Sequence, residues 1–181
     1  MQVTIRQATP ADMEGILAIV NYYAGQDLML YRTREQVELA LPGFLVAVAE
    51  GAVIACGSLV ELTPELVEVR SLAVAPDQQN HGLGRRMVSA LVERARAAGY
   101  VQACALTLRE SFFNGLGFET VGRWTLAPKI WQECIFCSKF HACDEIGVLM
   151  NLVQPAELPN CPAIRLPGFC DSQASVGCGP A

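Results

Sequence analysis

The sequence predicts an α/β domain built on a mixed sheet, and three observations carry that prediction. Strand-like segments are grouped early in the chain and then alternate with helical ones, which is the order of a mixed sheet with flanking helices. From Gly82 to Ala98 apolar residues recur at Leu83, Met87, Val88, Leu91, Val92 and Ala95, the spacing of one helical face. Val101 to Leu108 then forms a mostly apolar run, the pattern of a central strand covered on both sides.

Each element has its own local reason. Val3 to Gln7 alternates apolar and polar residues, as a half-buried strand does. Thr9-Pro10-Ala11-Asp12 reads as a helix start, with Thr9 as cap, Pro10 at the first helical position and Asp12 as the capping acid. Met13, Ile16, Leu17 and Val20 give that helix its apolar face. Thr33-Arg34-Glu35-Gln36 is a second capping box, for a helix ending near Pro42-Gly43. Phe44 to Ala49 and Ala52 to Leu62 are strands joined by a hairpin at Glu50-Gly51, and Val67 to Val74 is a third. Gly99 stops the long helix. Ser111 is expected to cap a short helix that Gly117 ends, and Phe118 to Leu126 reads as the last strand.

At 181 residues, 52% hydrophobic and 17% charged, the chain has enough apolar material for one ordinary core. The division expected is a domain over 1–152, with a Cys-rich segment at 134–143, followed by a poorly ordered tail over 153–181 rich in Pro, Gly and Cys. A formal net charge of −5 repels a phosphate backbone, so nucleic acid is not an expected partner. No apolar run reaches membrane-spanning length and the first residues lack the pattern of a signal peptide, so a cytoplasmic address without a membrane partner is expected.

One turn points to chemistry. Val69 to Val74 leads through Ala75-Pro76-Asp77 into Gln79-Asn80-His81-Gly82-Leu83-Gly84, and from there directly into the long helix. Glycines let backbone N–H groups converge, and a helix start adds unpaired donors and a positive dipole end, so the turn suits an anion. Arg85 and Arg86 fall in the first helical turn, where cations are otherwise unfavourable, and an anion in the turn would account for them. The pattern is neither a Rossmann fingerprint nor a P-loop.

Gln79-Asn80-His81-Gly82-Leu83-Gly84 resembles the Gln/Arg-x-x-Gly-x-Gly/Ala motif of GNAT acetyltransferases, and it follows a strand, Glu68 to Val74, at the family's place. Phe112-Phe113-Asn114-Gly115-Leu116-Gly117-Phe118 resembles the family's second signature. The resemblance implies the acyl-CoA N-acyltransferase fold with acetyl-CoA as cosubstrate. It also implies CoA contacts from Leu72, Ala73, Val74, Gln79, Asn80, His81, Gly82, Leu83, Gly84, Arg85 and Phe113. The segments Leu30 to Glu35, Arg70 to Val74, Ala105-Leu106-Thr107 and Ala127 to Trp131 are similar to the short, kinase-free N-acetylglutamate synthases, which resemble the acetyltransferase domain that starts bacterial arginine biosynthesis. That likeness implies an amino-acid acceptor, L-glutamate, whose carboxylates would meet Arg32, Lys129 and Arg70, since arginine forks match carboxylates. Other small amines, a protein N-terminus, and a non-catalytic acyl-CoA sensor stay open. So does assembly as a homodimer.

Within that resemblance Glu68 is the candidate base, taking the amine proton directly or through water, with an ion pair to Arg70 as the alternative. A backbone N–H near Leu72 to Val74 would stabilise the thioester oxygen. Many members carry a Tyr where this chain has Phe113, so the usual proton donor to the thiolate is missing; Thr107 is the substitute, unless the thiolate leaves unaided or Thr107 is an ordinary strand residue. Cys134, Cys137, His141 and Cys143 are spaced closely enough to hold one structural zinc, or are thiols packed as small hydrophobes. Cys56 and Cys104 fall in strand patterns and are expected in the core.

Overall fold

Local chemistry sets the helix starts. Asp12 accepts from the Thr9 N–H (2.7 Å) and from its hydroxyl (2.8 Å), and Pro10 begins a 3-10 turn that runs into α1 (Met13–Ala24). Thr33 and Gln36 exchange side-chain and backbone bonds, so α2 (Arg34–Ala40) opens in a capping box. Glu50 and Gly51 have φ of 52° and 82°, the left-handed pair that a two-residue hairpin needs between β2 (Phe44–Ala49) and β3 (Ala52–Glu61). After β4 (Leu66–Val74) comes α3 (Leu83–Ala97), closed by Gly99 at φ 87° while the Tyr100 N–H reaches back to the Ala95 carbonyl at 3.1 Å. The computed structural model describes residues 2–137 and 139–153; the tail expected over 153–181, with Cys161, Cys170 and Cys178, lies outside the described residues from 154 onward.

With β1 (Thr4–Gln7), β5 (Gln102–Thr107), β6 (Glu119–Val121) and β7 (Ile146–Asn151), the strands form one sheet in the order β1-β2-β3-β4-β5-β7-β6. Among the described residues only β4 and β5 run parallel; every other neighbouring pair is antiparallel. α3 covers one face, its Leu83, Met87, Val88, Leu91, Val92 and Ala95 packed with Ala47, Val67 and Ala105. Met87 and Leu91 are fully buried, each worth about 1.5–3 kcal/mol of apolar burial. α1 and α2 cover the other face, where Ile16, Val20 and Val37 meet Val46, Cys56 and Ala73. No helix among the described residues is long and apolar enough to cross a membrane.

Two expectations are corrected. The strand predicted over Phe118 to Leu126 is cut to Glu119–Val121, and Arg123–Leu126 turns into α5 (Ala127–Gln132). The sheet is completed instead by β7, which inserts between β5 and β6, with Gly147 so close to the Val121 carbonyl that a Cβ would lie 3.1 Å from it. The short helix α4 (Glu110–Asn114) is not capped by Ser111; Arg109 stands at its start, and the Thr107 hydroxyl accepts the Arg109 N–H at 2.9 Å.

Candidate active site

β4 and β5 pair only at Leu66–Gln102, Val67–Ala103 and Glu68–Cys104. Beyond Glu68 the two strands part, so the β5-facing edge of β4 from Val69 to Val74 has no strand partner there. A bulge re-aims the same stretch. Cys56 pairs with Ala73 and Ser58 with Arg70, so Gly57 faces both Ser71 and Leu72, and Ser71 takes a left-handed φ of 52°. β3 supports the bulge with side chains: Ser58 Oγ donates to the Arg70 carbonyl (3.2 Å) and Cys56 Sγ to that of Ser71 (3.6 Å). Glycine at 57 leaves room for two leucine methyls, since a Cβ there would come within 2.9 Å of Leu91 Cδ1 and 3.3 Å of Leu72 Cδ1.

The turn after β4 has the backbone of an anion cradle. Asn80 and Gly82 have φ of 64° and 74°, and Gly82 is the N-cap of α3, whose first N–H groups lack helical acceptors. A Cβ at Gly82 meets nothing within 4 Å, so φ alone selects glycine there. The turn is clipped to α1 by Tyr23, which sequence reading passed over. Its hydroxyl donates to the Val74 carbonyl (2.6 Å) and accepts from Gln79 Nε2 (2.6 Å). Burial raises the Tyr23 pKa, more than the Gln79 bond lowers it. The two arginines of the first turn donate to backbone carbonyls, Arg85 to that of Gly115 (2.8 Å) and Arg86 to that of Val3 (3.2 Å).

On the α1 side of the sheet the predicted acceptor residues meet. Glu68, 3% exposed, accepts from Arg70 through Nε (3.0 Å) and Nη2, and Lys129 Nζ lies 3.0 Å away. All these contacts fall on Oε2, leaving Oε1 without a hydrogen-bond partner among the described residues. Glu133, after α5, closes a ring: it lies 2.6 Å from Arg70 and 2.7 Å from Lys129. Lys129 and Arg70 were expected to be carboxylate clamps for a substrate, and each already holds two protein carboxylates. Burial lowers the Arg70 pKa, but Glu68 and then Glu133 outweigh it and raise the value overall.

Arg32 differs. Asn21 fixes its backbone from both sides at 2.9 Å, while the guanidinium has no hydrogen-bonded carboxylate among the described residues. Burial, then the charge of Arg70, lower its pKa; Glu133 and Glu68 offset this only in part. Arg32 and Arg70 line one cavity of about 450 Å³ with Ser71 and the apolar Val37, Phe44 and Leu59.

A parted β4/β5 pair, a bulged β4 and a left-handed turn at a helix start thus lie side by side. Residues 11–118 match the model of the Acetyltransferase (GNAT) family. The chain belongs to the GNAT acetyltransferase family. It is 37% identical to an uncharacterised N-acetyltransferase of Chlorobaculum tepidum, over 82% of this chain and 96% of that one. It is 30% identical to an amino-acid acetyltransferase of Mycobacterium tuberculosis, over 86% of this chain and 90% of that one. Longer amino-acid acetyltransferases also match, but the chain spans only about a quarter of their length, 27% for that of Ectopseudomonas mendocina. Among solved structures, N-acetylglutamate synthase of Neisseria gonorrhoeae, complexed with coenzyme A and N-acetyl-glutamate, shares the fold with a TM-score of 0.74 at 24% identity, covering 85% of this chain and 36% of that one. A Mycobacterium tuberculosis protein in complex with CoA superposes with a TM-score of 0.71 at 26% identity, covering 83% and 99%.

This GNAT protein is thus an acyltransferase that uses acetyl-CoA, and its residues fit that group: the unpaired β4 edge can meet an amide-bearing arm, and the Gln79–Gly84 turn can meet a pyrophosphate. Other predicted contacts sit differently. Phe113 is turned into the core against Phe118, 5% exposed, and Phe112 is the ring beside Gly84 and Val74. Thr107 is 7% exposed and follows Ala103 and Ala105, so the pleat puts it on the α3 face, opposite Glu68. The zinc expectation is corrected: among the described residues Cys134, Cys137, His141 and Cys143 do not gather into a group that could hold a metal. Cys137 Sγ accepts the Lys139 N–H (3.4 Å), and the nearest partner of Cys143 is Glu145 at 4.0 Å. Cys56 and Cys104 are fully buried, as expected, and burial pushes both thiols up to about 12. Sequence reading missed Tyr23, Ser58 and Glu133. A signal existed only for Glu133, which stands four residues after Lys129 on one helical face.

Proposed function

We propose that this acetyltransferase moves the acetyl group of acetyl-CoA to the α-amino group of an amino acid, L-glutamate, the first step of arginine biosynthesis in the proteins it resembles. The observation that carries this reading is Arg32. A half-buried guanidinium beside a second arginine, without a carboxylate of its own among the described residues, is a receptor for an acceptor carboxylate. The relatives named as amino-acid acetyltransferases support the same acceptor class.

The chain's residues divide the work as follows. Acetyl-CoA supplies the activated acetyl group. The Gln79–Gly84 turn and the start of α3 hold its pyrophosphate, and the open edge of β4 near Leu72 to Val74 orients its thioester and offers an N–H to the oxygen that gains charge. Arg32 fixes the acceptor so that its amine faces the parting of β4 and β5. Glu68, anchored through Oε2, takes the amine proton at Oε1, directly or through water. Thr107, whose hydroxyl accepts the Arg109 N–H at 2.9 Å, would give the departing thiolate its proton, unless the thiolate, at a pKa of about 8.5, leaves without it.

Arg32→Ala tests the acceptor assignment. The KM for the amino acid should rise at least about tenfold, the loss of one charge-assisted contact, with the KM for acetyl-CoA unchanged. An unchanged amino-acid KM would remove Arg32 from the site. Glu68→Gln should lower kcat at all pH values; full activity across pH would remove the base assignment.

A further inference from the structure

Glu133 has no part in the reaction above, yet it holds two of the three cations of the acceptor site. Its Oε1 lies 2.6 Å from Arg70 Nη1 and its Oε2 2.7 Å from Lys129 Nζ. One carboxylate bridging a guanidinium and an ammonium through separate oxygens is the arrangement a substrate carboxylate would adopt at the same place. Arg70 and Lys129 are paired with Glu68 and Glu133, and Glu145 interacts with Lys129 and Glu68 at longer range; Arg32 is the cation of the site without a hydrogen-bonded carboxylate among the described residues. An acceptor with one carboxylate needs one such cation. An acceptor with two needs a second.

Of the two acidic groups, Glu133 is the one that can give way. Its side chain is 37% exposed, against 4% for Glu68. It stands just past α5, where the backbone has left helical values (φ −138°, ψ −46°), and short 3-10 turns follow until β7. Moving Glu133 outward transfers a half-exposed charge to water, whereas removing Glu68 would strand buried cations. Burial disfavours the ionised form of Glu133, but the bond and charge of Lys129, then Arg70, outweigh it and hold its carboxyl below the ordinary value.

Resting on the amino-acid acceptor proposed above, we propose that Glu133 is a built-in competitor for the acceptor's second carboxylate. A dicarboxylic amino acid must displace it from Arg70 and Lys129, while one with an uncharged side chain leaves it in place. Glu133 thereby sets how strongly the site separates glutamate from its neutral isostere, glutamine. It acts as a specificity-determining residue that never touches the reacting atoms.

The test is steady-state kinetics of the full chain and of Glu133→Gln with glutamate and with glutamine at saturating acetyl-CoA. Glutamate affinity of the CoA-loaded proteins is measured by calorimetry in parallel. The variant should lower the KM and the calorimetric Kd for glutamate by about tenfold, one exchanged charged contact, and change the KM for glutamine less than about twofold. Glu133→Asp, which keeps the charge, should behave as the parent. A glutamate KM that rises or stays put, or equal movement for both substrates, overturns the proposal. If the parent chain binds and acetylates neither amino acid, the acceptor reading itself has failed, and this inference with it. Matched melting temperatures for Glu133→Gln, Glu133→Asp and the parent separate these outcomes from misfolding.

Discussion

Replacing Lys129 with methionine should destabilise the fold through charge. The Glu68–Arg70–Glu133–Lys129 ring is neutral, two charges of each sign, and Lys129 is 8% exposed with its Nζ 3.0 Å from Glu68 and 2.7 Å from Glu133. Methionine fills similar volume, so little cavity forms. What remains is a ring of net charge −1 with a carboxylate that is 3% exposed. Breaking a buried pair typically costs about 3–5 kcal/mol. Arg70 still holds Glu68 and Glu133 is partly in water, so the expected loss is nearer about 2–3 kcal/mol, or roughly 5–10 °C in melting temperature for a domain of this size. Adding Glu133→Gln returns the ring to neutrality, and the double variant should therefore be more stable than Lys129→Met alone. Thermal and urea unfolding of the three proteins measures this. If Lys129→Met melts within about 2 °C of the parent, or the double variant is less stable than the single one, the neutral buried ring is not what holds α5 against β4.

Other outcomes follow from the same structure. Tyr23→Phe removes the hydroxyl that ties Val74 to Gln79, and the Kd for CoA should rise about fivefold, the worth of roughly one net hydrogen bond, with the amino-acid KM unmoved. Gly82→Ala meets no atom but must hold φ at 74°, so stability should fall by about 1–2 kcal/mol, while Gly84→Ala, whose Cβ makes ordinary contact with Phe112 at 3.5 Å, should be nearly neutral by the same unfolding measurement. Asp12, 6% exposed, is held well below the usual carboxylate range, first by the Arg6 hydrogen bond and with further bonds from Thr9. A depressed folded pKa gives stability that is present above the unfolded value of about 4 and lost as pH falls through the folded one, so Asp12→Asn should flatten the acid limb of a melting-temperature profile below about pH 4. Cys56 and Cys104, pushed up to about 12, should resist iodoacetamide at pH 8 in the folded protein and react only on unfolding, as peptide mapping would show.

The elements read most clearly from sequence were those whose signal is local. Thr33 and Gln36 write a capping box, Glu50-Gly51 a left-handed hairpin turn, and the periodic residues of α3 a buried face, and each forms as its pattern requires. β7 was not legible. Its run from Ile146 to Asn151 has apolar residues, but its place between β5 and β6 depends on non-local pairing that no short window contains. The site divides the same way. The turn at Gln79–Gly84 is a backbone feature, and its glycine gave it away. The roles of Arg70, Lys129 and Glu68 depend on which charges meet across β4 and α5, and sequence could name the residues without showing that Glu133 joins them. Phe112 and Phe113 are adjacent, so only the direction of the helix decides which one lies by Gly84.

Thiol release from acetyl-CoA, followed in the presence of each amino acid in turn with the product identified by mass spectrometry, tests the glutamate acceptor directly. Release should depend on glutamate, yield N-acetylglutamate, and be weakened through the amino-acid KM in Arg32→Ala. Tight CoA binding with no release above hydrolysis for any amino acid would contradict that acceptor, and would mark the Arg32 site as something other than an acceptor cradle.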